Sequence, residues 1–372
     1  MHLNQLAQSK PFFKLLSSLS FLLLATLSSV TFSIEKVNPL NPESRIEDWH
    51  SFNINTVNNY IIPAYENLDK SSQLLNASID KLCLQPKNSP ELLNQAREAF
   101  HQTMDSWQFI QNIQFGPIQT LMRNYSMQFW PDKKNHVGKH LDSLLETNDP
   151  ATLSVDEFHK ASVSIKGLPA IERFLFEKNQ LQELQNNPFH CQVLQRISSY
   201  TANTGHALVV EWQDMKNQFS NVSEDGYYES DIDASTALLK ALVEPIEVIR
   251  DLKLLRPLGS EFGQQKMKRL ESWRSQRSLR NIQMNIESLN QFYTHLSKLV
   301  DTTENALIND QFKKTLLQIS TIKSPIESSI KTETGFQDIN NLSDSLKTLH
   351  VLLENAVTNQ GMHLGFNSRD GD

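Results

Sequence analysis

The segment INTVNNYIIPAYENLDKSSQLLNASIDKL, Ile54 to Leu82, decides the fold. Within it Ile54, Val57, Ile61, Tyr65, Leu68, Leu75, Ile79 and Leu82 recur at spacings of three, four and seven. A helix places such residues on one face, and that face must be covered by other elements. Pro63 lacks an N–H and predicts a kink or a break. Upstream, Asn38-Pro39 and Asn41-Pro42 favour turns, so residues 34–52 read as an extended leader. Downstream, Ser89-Pro90-Glu91 starts a second helix, with Leu93, Ala96, Phe100, Met104 and Trp107 on one side. A polar segment is expected to about residue 153, then short helices from Ser154 and Gly167. Longer helices are expected near 187–217, 232–256 (kinked at Pro245), 264–301, 302–321 and 340–359. No segment alternates with period two for long enough to make a strand. The expectation is an all-α chain of two packed antiparallel helical bundles, at about residues 53–225 and 226–372.

Composition agrees. Gly is 11 of 372 residues, well under the usual share of about 7%, and sheet turns and bulges need Gly. The net charge is -7, and no basic stripe occurs, which argues against a nucleic-acid partner.

Residues 1–33 read as a signal peptide. Lys10 and Lys14 make the charged start, Leu15 to Val30 the apolar run, and Thr31-Phe32-Ser33 the small-residue cleavage site. The competing reading is an N-terminal membrane anchor, but the run falls short of the roughly 20 residues that a span needs. No lipobox cysteine lies near the cut, and no later stretch is long and apolar enough for a span. The mature chain is therefore expected in the periplasm or cell envelope. In an exported chain, the even cysteine count suggests a disulfide between Cys83 and Cys191; two separate buried thiols are the alternative.

The unusual residues collect in four clusters rather than along the helical stripes. They are Phe115-Gly-Pro117 with Arg123 and Phe129-Trp130-Pro131-Asp132; Lys166-Gly167-Leu-Pro169-Ala-Ile-Glu172-Arg173; Ser272-Trp273-Arg274-Ser275 with Arg277 and Ser278; and Gly365-Phe-Asn-Ser-Arg-Asp370-Gly-Asp372. Together with Pro63-Ala-Tyr65, their order resembles the imelysin-like family of exported bacterial proteins, which includes iron-regulated protein A-like members. The resemblance implies two packed helical bundles with a site between them and a role in iron acquisition. It also implies a metallopeptidase ancestry.

The family hallmark is Gly-x-His-x-x-Glu. Here Gly167 and Glu172 match, but Pro169 stands at the His position. A His and a Glu three apart share one helical face and can share a metal; Pro supplies no ligand. The candidate ligand-binding residues are Arg123, Trp130, Asp132, Gly167, Glu172, Trp273, Arg274, Ser275 and Ser278, with Glu172 also a candidate metal ligand. No catalytic residue is assigned. The expected function is non-catalytic binding of a small ligand or a divalent or ferric cation at the bundle interface. Envelope iron-uptake proteins are the expected partners. The alternatives are a metal-dependent peptidase and a helical interaction module. In the last, Arg123, Arg173, Arg274, Arg277 and the acids, including Asp370 and Asp372, simply pair with one another, and Trp130 and Trp273 pack the interface. His136 and His140 have metal-ligand spacing without a third ligand nearby, while His190 and His206 read as surface or core residues.

Overall fold

A computed structural model describes residues 40–84, 90–323 and 325–365. The signal-peptide segment, residues 34–39 of the leader, Asp370 and Asp372 lie outside the described residues. Ten helices of nine or more residues occur among those described, and no strand. They are α1 (Ile46–Thr56), α2 (Ile62–Leu84), α3 (Pro90–Ile110), α4 (His136–Thr147), α5 (Leu168–Phe176), α6 (Pro188–Ser220), α7 (Asp231–Val243), α8 (Ser278–Leu296), α9 (Thr302–Thr321) and α10 (Glu333–Asn359).

The deciding segment lies in one long helical rod. α1 runs into α2 through a π-helical turn, Val57–Ile61, in which the Ile62 N–H reaches back five residues to Val57. Pro63 cannot donate to the preceding turn, and its ring crowds that turn's carbonyl. The widened turn next to it makes room without ending the helix. Pro245 likewise lies close to a π-helical stretch, Val248–Leu255.

Side-chain bonds fix how the rods pair. Asp80 accepts from Gln195 at 2.8 Å, Asn76 from Ser198 at 2.8 Å, and Asp69 faces His206 at 3.2 Å, so α2 and α6 run antiparallel. Thr103 donates to the Ser71 carbonyl, and Tyr60 to Asn112, so α3 is antiparallel to α2. In the second bundle Gln311 bonds to Ser345, and Asn359 to Glu304, which sets α9 antiparallel to α10. The expected all-α architecture of packed helical bundles is the one observed.

Three local expectations change. The leader is helical from Pro42: Asn41 caps a 3-10 turn, α1 follows, and Trp49 and Phe52 are buried. It is tied down at the far end of the chain, where the Leu40 N–H bonds to the Asn359 carbonyl at 3.0 Å and Arg45 to Gln360 at 2.6 Å. The polar segment after Asp132 contains a helix, α4, despite Gly138. The helix expected from residue 264 starts only at Ser278, because Ser272 and Gln276 take positive φ, which interrupts helical geometry.

Cys83 and Cys191 form a disulfide that joins the C-terminal end of α2 to the N-terminal end of α6 across 108 residues. A loop of that length is worth about 4–5 kcal/mol in the chain-entropy treatment, with measured losses of about 2–5 kcal/mol in small secreted domains. The pair of substitutions Cys83→Ser and Cys191→Ser should lower unfolding free energy by an amount in that range in urea titrations. Non-reducing mass analysis of the wild type should find no free thiol.

Candidate functional site

The seam where α3 meets α8 carries polar side chains that are buried and bonded to one another. Lys253 and Glu271 form its centre: both are 2% exposed, with the ammonium 2.9 Å from a carboxylate oxygen. Lys253 also donates to Gln108 Oε1 and Asn285 Oδ1, each at 2.7 Å. Glu271 accepts from Gln128 and Asn281, each at 3.0 Å. Gln128 accepts in turn from the Trp107 indole at 2.6 Å. All three ammonium protons and both carboxylate oxygens are thereby engaged. Burial pushes the Lys253 ammonium down, against the pull of Glu271. So dry an ion pair needs that complete set of partners.

The network continues along α8. Asn281 accepts from Arg277 Nε at 3.2 Å. Arg277 is buried and reaches Asp105 and, at 2.9 Å, His101 Nδ1. An arginine can only donate, so this His101 nitrogen is the bare acceptor and the ring is neutral. Burial first, then the charges of Arg277 and Arg280, push His101 down to about 4.

Glu172, on α5, meets the same segment from the other side. It is 4% exposed and accepts from the Ser275 N–H at 2.9 Å and the Ser275 hydroxyl at 2.6 Å. Burial pushes its carboxyl up, while these bonds and the charges of Arg274 and Arg277 oppose that. Gly167 starts α5 against the backbone of residues 126 and 127; a Cβ there would lie 2.0 Å from the Ser126 carbonyl oxygen, which explains why the position is a glycine.

Beside the network lies a cavity of about 550 Å³. Its walls come from α3, the 111–131 segment, α7, the 244–253 stretch and α8. Lys253, Glu271 and Trp130 lie on its surface, with the Trp130 ring centroid 6.0 Å from the Lys253 ammonium.

The residues singled out from sequence thus separate into groups. Glu172, Ser275, Arg274 and Trp273 come together; Arg274 stacks on Trp273 and donates to Glu177 at 2.7 Å. Ser278 bonds to Glu327 and to the Glu271 carbonyl. Trp130 belongs to the cavity instead. Arg123 and Asp132 do not converge with Glu172: Arg123 pairs in bidentate fashion with Glu211 at 2.6 and 2.8 Å. Asp132 accepts the His136 and Val137 N–H groups at the start of α4, at 2.7 and 2.9 Å. Arg173 pairs with Glu177. His140 bonds to Ser162 and Ser164, each at 2.9 Å. His206 faces Asp69, and His190 packs edge-on to Phe174. Lys253, Glu271, Gln108, Gln128 and Asn285 were not legible as site residues, since a single Lys or Gln in a helical sequence looks like solvated surface.

The imelysin family model, peptidase group M75, matches residues 61–353. The chain belongs to the imelysin family. An imelysin-like protein from Psychrobacter arcticum 273-4 superposes with a TM-score of 0.71 at 17% identity, covering 86% of this chain and 98% of that one. A protein from Parabacteroides distasonis ATCC 8503, described as an iron-regulated protein A precursor, gives 0.65 at 16% identity, covering 84% and 95%. At such identities the likeness shows the fold. No protein with a curated function matches the chain.

The described residues of this imelysin-family chain do not supply the ligand set of the catalytic zinc that the peptidase name implies. Such a zinc needs three protein ligands. Among the described residues no group of three or more His, Cys, Asp or Glu side chains could hold a metal ion. Pro169 sits in the first turn of α5, and Glu172 is met by an N–H, a hydroxyl and the charges of two guanidinium groups. Those are donors and cations that meet the Glu172 carboxyl.

Two measurements test the network. Lys253→Met should cost about 3–5 kcal/mol in chemical denaturation, because it leaves Glu271 buried without its cation. For His101, a folded value of about 4 against an ordinary 6.5 means that its stabilising contribution is full above pH 6.5 and is lost as pH falls towards 4. The wild type should therefore lose more stability than His101→Gln between pH 7 and 4.5. Parallel curves would reject the neutral-acceptor role. Glu172 and Glu327, whose carboxyls burial pushes up, act in the opposite direction in both proteins.

Proposed function

We propose that this imelysin-family protein is exported to the bacterial cell envelope. There it binds a small polar molecule in the seam cavity and assists iron acquisition, without catalysing a reaction. The observation that carries this reading is the 550 Å³ cavity itself, walled by both helical groups and floored by a rigid, fully bonded polar network. Ligand pockets commonly have that size and occur between packed helical elements. Export is supported by the amino-terminal pattern of residues 1–33. No helix of the described residues is long and apolar enough to cross a membrane. The iron link rests on the family and on the Parabacteroides protein described as iron-regulated.

Glu172, Ser275, Arg274 and Arg277 are already partnered. They serve in this reading as a clamp across the seam at residues 53–225 and 226–372, and Trp130 serves as a wall of the ligand site.

The test is a plug. Ala237 is half-buried on the cavity wall. Ala237→Trp should fill the space with little change in melting temperature. In the source bacterium, loss of the gene should slow growth under iron limitation. The wild-type gene should restore growth and the plugged variant should not. Full rescue by a folded Ala237→Trp protein, or no growth defect on deletion, would reject the proposal.

A further inference from the structure

The hydrogen-bond account of the cavity wall is lopsided. Every side-chain amide oxygen on that wall already accepts a bond from the protein. Both Glu271 oxygens are used as well. Glu244, the other carboxylate on the wall, is itself engaged. The polar groups left without a protein partner among the described residues are donors: the Lys240 ammonium, the Trp130 indole N–H and the Tyr125 hydroxyl. A hydroxyl can also accept, but an ammonium and an indole N–H cannot. Among the described residues Lys240 has no carboxylate within ion-pair distance, although it is half-buried one turn before Glu244. The rest of the wall is apolar or aromatic, with Phe115, Val248, Ile249, Leu252 and Leu289.

Resting on the reading of this cavity as a ligand site, we propose that it takes a small organic carboxylate with a flat or apolar body. The carboxylate meets Lys240 and the Trp130 N–H, and the body lies against the apolar wall. The central ion pair adds no net charge, because Lys253 and Glu271 cancel. Selection between a carboxylate and its neutral amide therefore falls to Lys240. A carboxylate accepts at both oxygens, whereas an amide in the same place presents an NH₂ to an ammonium and an indole N–H. The same chemistry is offered by a free organic acid and by its iron(III) chelate.

Calorimetric titration at pH 7 with salicylate, and with its neutral isostere salicylamide, tests the assignment. Salicylate should bind about tenfold or more tightly than salicylamide, the scale of one charge-assisted hydrogen bond. Lys240→Met should abolish that preference, and Lys240→Arg should retain it. Equal affinity for the two probes, no binding of either, or an unchanged preference in Lys240→Met would overturn the proposal. Adding iron(III) separates the sources: tighter binding identifies the chelate, weaker or equal binding the free acid. Ala237→Trp keeps the two levels of the argument apart. If it leaves both probes bound, the cavity is not the site and the proposed function falls too. If it removes both, but the probes bind the wild type equally, only the carboxylate inference falls.

Discussion

A charge pair withdrawn from water is tolerated only when every proton and lone pair finds a partner, and the Lys253–Glu271 pair imposes that condition on the whole seam. Its partners come from segments far apart in the chain: Gln108 on α3, Gln128 after the 116–122 turn, Asn281 and Asn285 on α8. All must arrive together, or a charge is left buried and unmet. The pairing of α3 with α8 is thereby restricted to one register. The Arg277–Asp105 pair and the Ser288 bond to the Phe109 carbonyl tie the same two helices on either side of Gln108 and Asn285.

The irregular stretch between α3 and α4 can be understood from this requirement. Gln128 and Trp130 have to reach the seam, so the chain on either side of them needs anchoring. Arg123 anchors one side by bonding to Glu211 on α6 and to the Pro117 carbonyl. Asp132 anchors the other by capping α4. Gly167 lets α5 begin in direct contact with the backbone of residues 126 and 127. Residues that stand out in sequence as binding groups thus position the wall of a cavity, and the groups they deliver are less conspicuous ones.

Much of the fold was legible. The three-four-seven spacing of Ile54 to Leu82 marks a helical face whatever covers it, and that face is buried against α3 and α6. In the leader two Asn-Pro pairs signal turns, while the helical signal is only Trp49 and Phe52, three apart on one face. The segment 264–277 was misread because positive φ at Ser272 and Gln276 carries no glycine signal. Of the site, Glu172 and Ser275 stand in separate sequence clusters, and the fold brings them into hydrogen-bond contact. Lys253 and Glu271 were invisible, because charged residues are ordinarily solvated whatever element carries them.

The amino-acid sequence by itself determined the all-α class, the family, and the polar clusters interrupting the helical stripes, since periodicity and local backbone preference act over a few residues. The tertiary structure alone decided which charges are dry, which polar groups find a partner and which conspicuous residues pair with one another. Those properties depend on the partners that distant segments bring, and burial and hydrogen-bond completion are not written into any one stretch of chain.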